Sequence, residues 1–198
     1  MEPVTVSVDL DGTLADFLTP AMQSVNERFG TSYSTRDMIH YDAKTWMPPH
    51  HHDRFMEFVR NPEVYALLQP MPGSIEAVLN LANSGCNIVI ASHRPPAALE
   101  QTRDWLLRHG VPHSHLSVSY GSKAALAESY GPEHPLLFLD DDPSIVAALG
   151  LPRPGIEVWL LETLYTGKVD LSLVRVFAGW EDLMIALHER LGTLPPSF

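Results

Sequence analysis

The 198-residue sequence has little cysteine, few basic residues and no long apolar run, and each scarcity excludes a class of protein. Its single cysteine, Cys86, excludes an intrachain disulfide and a zinc site built from several cysteines. Its 13 basic residues stand against 24 acidic ones, which disfavours a surface that follows the phosphates of duplex nucleic acid. No apolar stretch approaches the roughly 20 residues of a membrane span, and no basic-apolar leader precedes the first predicted strand. We therefore expect a cytoplasmic protein that does not enter a membrane.

The composition is that of a folded globular chain. Hydrophobic residues make up 45% of the sequence and charged residues 19%, which is enough apolar material for one buried core with room for a small insertion. The formal net charge of -11 still permits a small phosphorylated substrate, provided that a bound cation or a few local donors neutralise its phosphate. A homodimer is compatible with these features.

The first residues combine a strand pattern with two carboxylates. Residues 4–16 read V-T-V-S-V-D-L-D-G-T-L-A-D, in which alternating valines predict a buried strand that ends at Asp9 and Asp11. Ligands of open α/β sheets bind at the carboxyl ends of the strands, where these two side chains would lie. An ordinary Asp-Gly turn is the alternative interpretation of this segment by itself.

After the first strand the pattern changes to that of a small helical insertion. A helical apolar pattern follows residue 16 and ends at Gly30, and the next 40 residues are irregular and rich in aromatic residues, histidine and proline. Pro72 marks the return to regular structure. We interpret 17–71 as a small helical cap and 1–16 together with 72–198 as the core domain.

Beyond the cap, short apolar runs alternate with amphipathic helical segments. The predicted strands are 87–91, 116–119, 136–139 and 156–161, with one more edge strand at 173–177. The predicted helices are 74–84 with Ser74 as its N-cap, 97–108, 123–130, 144–149 and 180–191, and the tail after residue 192 is predicted to be loosely ordered. This alternation indicates an α/β fold, a Rossmann-like parallel sheet with helices on both faces.

Polar side chains follow four of the predicted strands at the point where each strand ends. Because the carboxyl ends of parallel strands meet at one edge of a sheet, we expect these side chains to converge on one site. Several carboxylates with one hydroxyl and one ammonium suit phosphoryl transfer assisted by Mg²⁺, which prefers oxygen ligands. The residues are Asp9 and Asp11; Ser92, His93 and Arg94; Lys123; and Asp140, Asp141 and Asp142.

Together these motifs resemble those of the haloacid dehalogenase superfamily of phosphohydrolases, in the same order, over residues 4–142. The matching elements are D-L-D-G-T at Asp9, a small hydroxyl after an apolar strand at Ser92, Lys123, and L-F-L-D-D ending at Asp141. More narrowly, D-L-D-G-T-L-A-D-F, L-Q-P-M-P-G-S-I-E-A-V and F-L-D-D-D-P resemble the 5'(3')-deoxyribonucleotidase family. The resemblance implies a magnesium-dependent phosphomonoesterase that hydrolyses deoxynucleoside monophosphates through an aspartyl-phosphate.

Carried over residue by residue, the resemblance assigns five residues to the reaction centre. Asp9 would be the nucleophile, and Asp11 the acid that protonates the leaving oxygen and then the base that activates water. Gly12 would let the backbone approach the phosphate. Ser92 would donate a hydrogen bond to a phosphate oxygen, and Lys123 would stabilise negative charge on the phosphoryl group.

The same resemblance implies a magnesium site. Asp9 and Asp141 would supply carboxylate ligands, and Asp11 would supply its backbone carbonyl. Asp140 would lie directly behind them as a further metal-site residue. Mg²⁺ is the cofactor that the resemblance implies.

Four further residues are predicted to contact the substrate. Phe17 matches a substrate-facing aromatic residue of the nucleotidase family, and Trp46 is predicted to be the cap aromatic that stacks on the base; packing in the cap core is the alternative for both. His93 would line the site. Members of this family often carry an arginine two residues before the lysine, where this chain has Gly121, and Arg94 is the candidate to replace that guanidinium.

Three other functions stay open at this stage. A phosphatase of the same superfamily could act on another phosphomonoester, such as a nucleic-acid 3'-phosphate end or a sugar phosphate. A phospho-accepting receiver domain also uses an acidic cluster with a hydroxyl and a lysine, but in a different chain order. A catalytically silent nucleotide-binding protein is disfavoured because both acidic residues of the first motif are present.

Overall fold

A computed structural model describes residues 3–40, 42–164, 166, 170 and 172–192. Within these ranges six strands form one sheet in which every neighbouring pair runs parallel, as the sequence predicts. These strands are β1 (Thr5–Val8), β4 (Asn87–Ser92), β5 (His115–Val118), β6 (Leu136–Asp140), β7 (Ile156–Leu161) and β8 (Arg175–Phe177). Two shorter strands, β2 (Ala15–Asp16) and β3 (Gln69–Pro70), pair with each other in antiparallel orientation.

The order of the strands creates a crevice beside β1. The sheet reads β5-β4-β1-β6-β7-β8, so the chain builds outward from β1 in one direction and then crosses over to build in the other. Ligands of such sheets bind where the order reverses, outside the carboxyl ends of the strands. Here the reversal falls between β1 and β6, which end at Val8 and Asp140. The two acidic motifs therefore follow adjacent strands.

Alternating side chains of the buried strands form two separate cores, one on each face of the sheet. One core packs against the cap and the helices α3 (Ser74–Asn83), α4 (Leu99–Arg108) and α7 (Trp180–Leu191), and it includes Val6, Val8, Ile88, Ile90, Leu137 and Leu139. The other packs against α5 (Ser122–Ala127) and α6 (Ile145–Ala148), and it includes Val89, Leu136, Phe138, Val158 and Leu160. The predicted α/β architecture is confirmed.

Some predicted helix limits differ from the observed ones. Ser74 is the first residue of α3 rather than its N-cap, because its Oγ donates a hydrogen bond to the carbonyl oxygen of Leu14 at 3.0 Å. Gly73 takes the cap position with a φ of 77°. A 3₁₀ turn at Pro96–Ala98 precedes α4, and α5 ends at residue 127 instead of 130.

The described residues of the inserted segment form two helices, α1 (Leu18–Phe29) and α2 (Pro49–Arg60), and 3₁₀ turns at Thr35–Asp37, Ala43–Thr45 and Pro62–Ala66. The paired strands β2 and β3 stand at its two ends. Its last turn is fixed to α4, since Trp105 Nε1 donates to the Leu68 carbonyl oxygen at 2.7 Å and Gln101 Nε2 donates to Glu63 Oε1 at 2.8 Å. The division into a cap at 17–71 and a core stays a prediction.

In the described part of the chain no helix is long and apolar enough to cross a membrane. The tail that was predicted to be loosely ordered, from residue 193 onward, lies outside the described residues.

Candidate active site

Asp9 lies at the bottom of the crevice between β1 and β6. Its backbone N–H donates to the carbonyl oxygen of Leu139 at 3.0 Å, which joins the ends of the two strands, and its carboxylate is buried. Lys123, in the first turn of α5, places its Nζ 3.2 Å from Asp9 Oδ1 and 2.7 Å from Asp140 Oδ2. The structure thus brings together an ammonium and two carboxylates from three separate elements.

These buried charges perturb one another. Burial raises the pKa of Asp9 well above its usual range, Lys123 opposes that shift, and the neighbouring carboxylates reinforce it. Burial acts to lower the pKa of Lys123, but the charges of Asp140 and Asp9 outweigh it and raise that pKa above its ordinary value. Lys123 is therefore a permanent ammonium beside the predicted nucleophile.

Three carboxylates form a cluster that fits a hard cation. One oxygen from each of Asp9, Asp140 and Asp141 lies within 4.8 Å of the others, and all three residues are buried. Apart from the Lys123 ammonium at 3.2 Å, Asp9 Oδ1 has no partner among the described residues. Buried, mutually repelling carboxylate oxygens are the donor set that Mg²⁺ and similar cations bind.

Asp140 organises the loop that presents its neighbour. Its Oδ1 accepts hydrogen bonds from the backbone N–H groups of Asp141 and Asp142, each at 3.0 Å, while its Oδ2 contacts Lys123. The Thr13 hydroxyl donates to Asp141 Oδ1 at 3.4 Å. Asp140 therefore shapes the loop, and Asp9 and Asp141 are the better placed of the three to bind a cation.

Gly12 makes room for the Asp141 carboxylate. Its φ is 87°, and a Cβ at this position would lie 2.3 Å from Asp141 Oδ2. Only glycine combines the left-handed conformation with that close approach. The turn that contains it is held in place because Trp180 Nε1 donates to the Thr13 carbonyl oxygen at 2.9 Å.

Ser92 connects the second strand end to the segment that carries the lysine. It is fully buried at the end of β4, and its carbonyl oxygen accepts hydrogen bonds from Ser119 N at 3.1 Å and Ser122 Oγ at 3.0 Å. Its own Oγ accepts from the backbone N–H of Arg94 at 3.3 Å. No described residue is shown to accept the Ser92 hydroxyl proton, so this proton could be donated to a phosphate oxygen.

The Arg94 guanidinium binds the predicted acid–base residue. Its Nη2 donates to Asp11 Oδ1 at 2.7 Å, its Nε lies 3.0 Å from Asp11 Oδ2, and its Nη1 donates to Thr102 Oγ1 at 3.0 Å. All three nitrogens are therefore engaged within the protein. The sequence analysis named Arg94 as a candidate to replace the arginine absent at Gly121; in the structure its guanidinium binds Asp11 and lines the cavity over the reaction centre.

The backbone explains the departure at Gly121. This residue has a φ of 80° and stands immediately before α5. An arginine here would have to adopt a left-handed conformation that side chains disfavour.

A cavity of about 290 Å³ opens over the reaction centre. Its floor is polar and its wall is aromatic and aliphatic. It includes the predicted residues Phe17, His93 and Arg94 together with Asp9, Asp11, Ser92, Lys123 and Asp141. Burial, aided by the charge of Lys123, lowers the pKa of His93, which favours its neutral form at this rim.

Trp46 lies elsewhere. Its Nε1 donates to the His40 carbonyl oxygen at 2.9 Å and its ring contacts Tyr33 edge-on, with 6.0 Å between the ring centroids. It is absent from the described lining of the cavity, because the turn that carries it packs inside the cap. The sequence analysis places Trp46 against the base, but in the structure its ring does not line the cavity over the reaction centre.

Two tyrosines that the sequence analysis missed do line the cavity, Tyr65 from the cap and Tyr120 from the core. Neither belongs to a motif that the resemblance covers. The one signal for Tyr120 was its position three residues before Lys123, in the turn that carries the lysine to the site.

A second cavity, of about 730 Å³, adjoins the first. The two share Leu18, Met38 and Asp141, and Gly12 also lines the larger one. Asp9 and Lys123 line the smaller cavity and not the larger one. The smaller cavity is therefore the one that gives access to the predicted nucleophile.

Comparisons with known proteins point to one family. The family described as "5' nucleotidase, deoxy (Pyrimidine), cytosolic type C protein" matches residues 2–128. A curated relative from Chlorobaculum tepidum, named "Putative 5'(3')-deoxyribonucleotidase", is 26% identical over 156 residues, which are 74% of this chain and 73% of the relative.

Solved structures share the fold at low sequence identity. A HAD family hydrolase from Deinococcus radiodurans, solved with bound phosphate and sodium, has a TM-score of 0.66 at 19% identity, with 100% of both chains covered. A HAD-superfamily hydrolase from Ehrlichia chaffeensis has a TM-score of 0.60 at 13% identity, covering 98% of this chain and all of the other. The solved structures show that the fold is that of HAD hydrolases. The chain belongs to the deoxy-type 5'-nucleotidase family, and it is a phosphoric monoester hydrolase of the 5'-nucleotidase type.

Proposed function

We propose that the chain is a cytoplasmic, Mg²⁺-dependent phosphatase that hydrolyses deoxynucleoside monophosphates through an aspartyl-phosphate on Asp9. The observation that carries the proposal is the contact of a buried carboxylate with a buried ammonium, Asp9 Oδ1 to Lys123 Nζ at 3.2 Å, at the floor of a cavity with aromatic walls.

The first step breaks the ester bond. An Asp9 carboxylate oxygen attacks phosphorus, the bond from phosphorus to the nucleoside oxygen breaks, and Asp11 gives its proton to that oxygen. Lys123 and Ser92 stabilise the charge on the phosphoryl oxygens. The nucleoside leaves, and the phosphoryl group stays on Asp9.

The second step regenerates the enzyme. Asp11, now a carboxylate, takes a proton from a water molecule, whose oxygen attacks phosphorus and displaces Asp9 as inorganic phosphate forms. Arg94, which contacts both oxygens, would hold the Asp11 carboxylate in one orientation for the second step. One of these contacts would have to open while Asp11 carries the proton of the first step.

Asp9, Asp141 and the Asp11 backbone carbonyl would hold Mg²⁺. Asp140 would position the loop behind them. When bound, the cation would neutralise the repulsion between the nucleophile and the phosphate dianion.

The size and lining of the cavity support a small substrate with an apolar part. About 290 Å³ stands at the small end of ligand pockets, which suits a monophosphate rather than a polymer. The phosphate would lie over the polar floor and the nucleoside along the aromatic wall. Bound phosphate in the similar Deinococcus radiodurans hydrolase supports a phosphate site in this fold.

The test is phosphate release from a panel of ribo- and deoxynucleoside 5'- and 3'-monophosphates, with Mg²⁺ and with a chelator. We expect magnesium-dependent turnover of deoxynucleotides, its loss in Asp9→Asn, and its retention in Asp104→Asn, which removes an exposed carboxylate on α4. Turnover restricted to sugar phosphates or to 3'-phosphorylated ends would contradict the proposed substrate. Turnover without a divalent cation would contradict the proposed cofactor.

A further inference from the structure

We propose that Tyr120 is the residue that favours substrates with a planar base, by offering its ring as a stacking surface for that base. This inference rests on the proposed nucleotidase function and deepens it. Trp46, which the sequence predicts to stack on the base, packs against Tyr33 within the cap. Another residue is therefore needed for that role.

The cap aromatics that line the cavity have their faces covered. Tyr65 stacks on Phe17 with 5.8 Å between ring centroids and 13° between ring planes, and the Arg94 guanidinium lies over the Tyr65 ring at 4.5 Å from its centroid. Phe17 also contacts Phe55 edge-on at 6.3 Å. These rings are buried, so they build a wall but offer no open face to a base.

Tyr120 differs from these rings. It is 72% exposed although it lines the same cavity. Its hydroxyl contributes to raising the pKa of Tyr65, but its ring takes part in no ring contact shown among the described residues. A large ring that contributes nothing to the core and stands at the mouth of the reaction centre is available to a ligand.

The backbone holds this ring close to the phosphate-binding residues. Ser119 N donates to the Ser92 carbonyl oxygen at 3.1 Å, and Ser122 N donates to the Ser119 carbonyl oxygen at 3.1 Å. These bonds fix the turn on both sides of Tyr120, and Lys123 follows in the same cavity. One turn thus presents a charge for the phosphate and a ring for the base.

The ring can stack on any nucleobase, because every nucleobase has a π-face. Such stacking changes affinity by roughly 5- to 150-fold per base. A substrate that has the same sugar phosphate but no base gains nothing from it. The pair of a deoxynucleoside 5'-monophosphate and deoxyribose 5-phosphate therefore separates the contribution of Tyr120 from that of the phosphate site.

The experiment measures kcat and KM of three variants on both substrates. Tyr120→Leu removes the ring but keeps apolar bulk, Tyr120→Phe keeps the ring, and Leu67→Ala is the control, because Leu67 is also 72% exposed and lines neither cavity. We expect Tyr120→Leu to raise KM for the nucleotide by roughly 5- to 150-fold and for deoxyribose 5-phosphate by less than about 2-fold. Tyr120→Phe, which keeps the ring, should retain the wild-type KM for both substrates.

The inference would be overturned if Tyr120→Leu raised KM equally for both substrates, or left the nucleotide KM unchanged. Nucleotide turnover by the wild type would still uphold the proposed function in that case. Wild-type protein that hydrolysed deoxyribose 5-phosphate and no nucleotide would contradict the proposed function instead. A circular dichroism spectrum and melting curve for each variant confirm that it is folded, as the exposure of Tyr120 leads us to expect.

Discussion

Arg94 contacts both carboxylate oxygens of Asp11, with Nη2 at 2.7 Å from Oδ1 and Nε at 3.0 Å from Oδ2. Arg94 is only 2% exposed, and Thr102 and Tyr65 hold the other sides of its guanidinium. Two residues 83 positions apart in the sequence thus act as one unit. In the proposed mechanism the arginine positions the acid–base group.

Replacing that arginine by lysine tests this relationship. A single ammonium cannot reproduce a two-point contact, so we expect Arg94→Lys to lower kcat by roughly 10- to 100-fold. Inhibition by inorganic phosphate should change by less than about 2-fold, because Arg94 binds Asp11 rather than the phosphate. Arg103→Lys, on the exposed side of α4, is the matched control. A parallel loss of phosphate affinity would assign Arg94 to the substrate, as the sequence suggested.

The ionised Asp9 that the mechanism needs is expected to lower the stability of the metal-free protein. Burial raises the pKa of Asp9, so the folded state holds its proton more tightly than the unfolded state does. Stability without metal should therefore fall as pH rises above the ordinary carboxyl pKa of 3.8. We expect Asp9→Asn to melt about 2–4 °C higher than wild type at pH 8 in chelator, and the gain to disappear near pH 4.

Added Mg²⁺ completes that experiment. It should raise the melting temperature of the wild type, because the cation binds the folded cluster, and should have little effect on Asp9→Asn. Identical magnesium responses of the two proteins would remove Asp9 from the proposed metal site.

Gly12 allows the metal-site geometry to be tested without deleting a carboxylate. Gly12→Ala and Gly85→Ala both place a side chain at a φ of 87°, but only the first would meet another atom, Asp141 Oδ2 at 2.3 Å. Both variants should lose roughly 1–2 kcal/mol of unfolding free energy from the strained backbone. Only Gly12→Ala should also require more Mg²⁺ for half-maximal activity. Equal magnesium requirements would show that the contact with Asp141 has no functional consequence.

The convergence of the site was predictable because it follows from the sheet. Parallel strands that end in polar residues must gather them at one edge, so Asp9, Lys123 and Asp140 meet as the sequence indicated. The strand pattern was equally clear, since apolar runs of this length are typical of strands buried on both faces.

Side-chain partners inside the cap and around Arg94 were not predictable in the same way. Between α1 and α2 the described residues form short 3₁₀ turns at Thr35–Asp37 and Ala43–Thr45, whose packing no periodicity reveals, and the Trp46 ring contacts Tyr33 there. Arg94 had a phosphate and a carboxylate as equally suitable partners, and only the fold brings Asp11 within 3 Å of it. Tyr120 carried no motif at all.

The proposed mechanism depends on a phosphoryl group passing from the substrate to Asp9. Wild-type protein is mixed with a deoxynucleoside monophosphate labelled in its phosphate, in the presence of Mg²⁺, and quenched with acid during turnover. We predict a hydroxylamine-sensitive label on the peptide that contains Asp9, and none in Asp9→Asn. Turnover with no label on the protein, or a label on the peptide that contains Asp140 and Asp141, would contradict the assignment of Asp9 as the nucleophile.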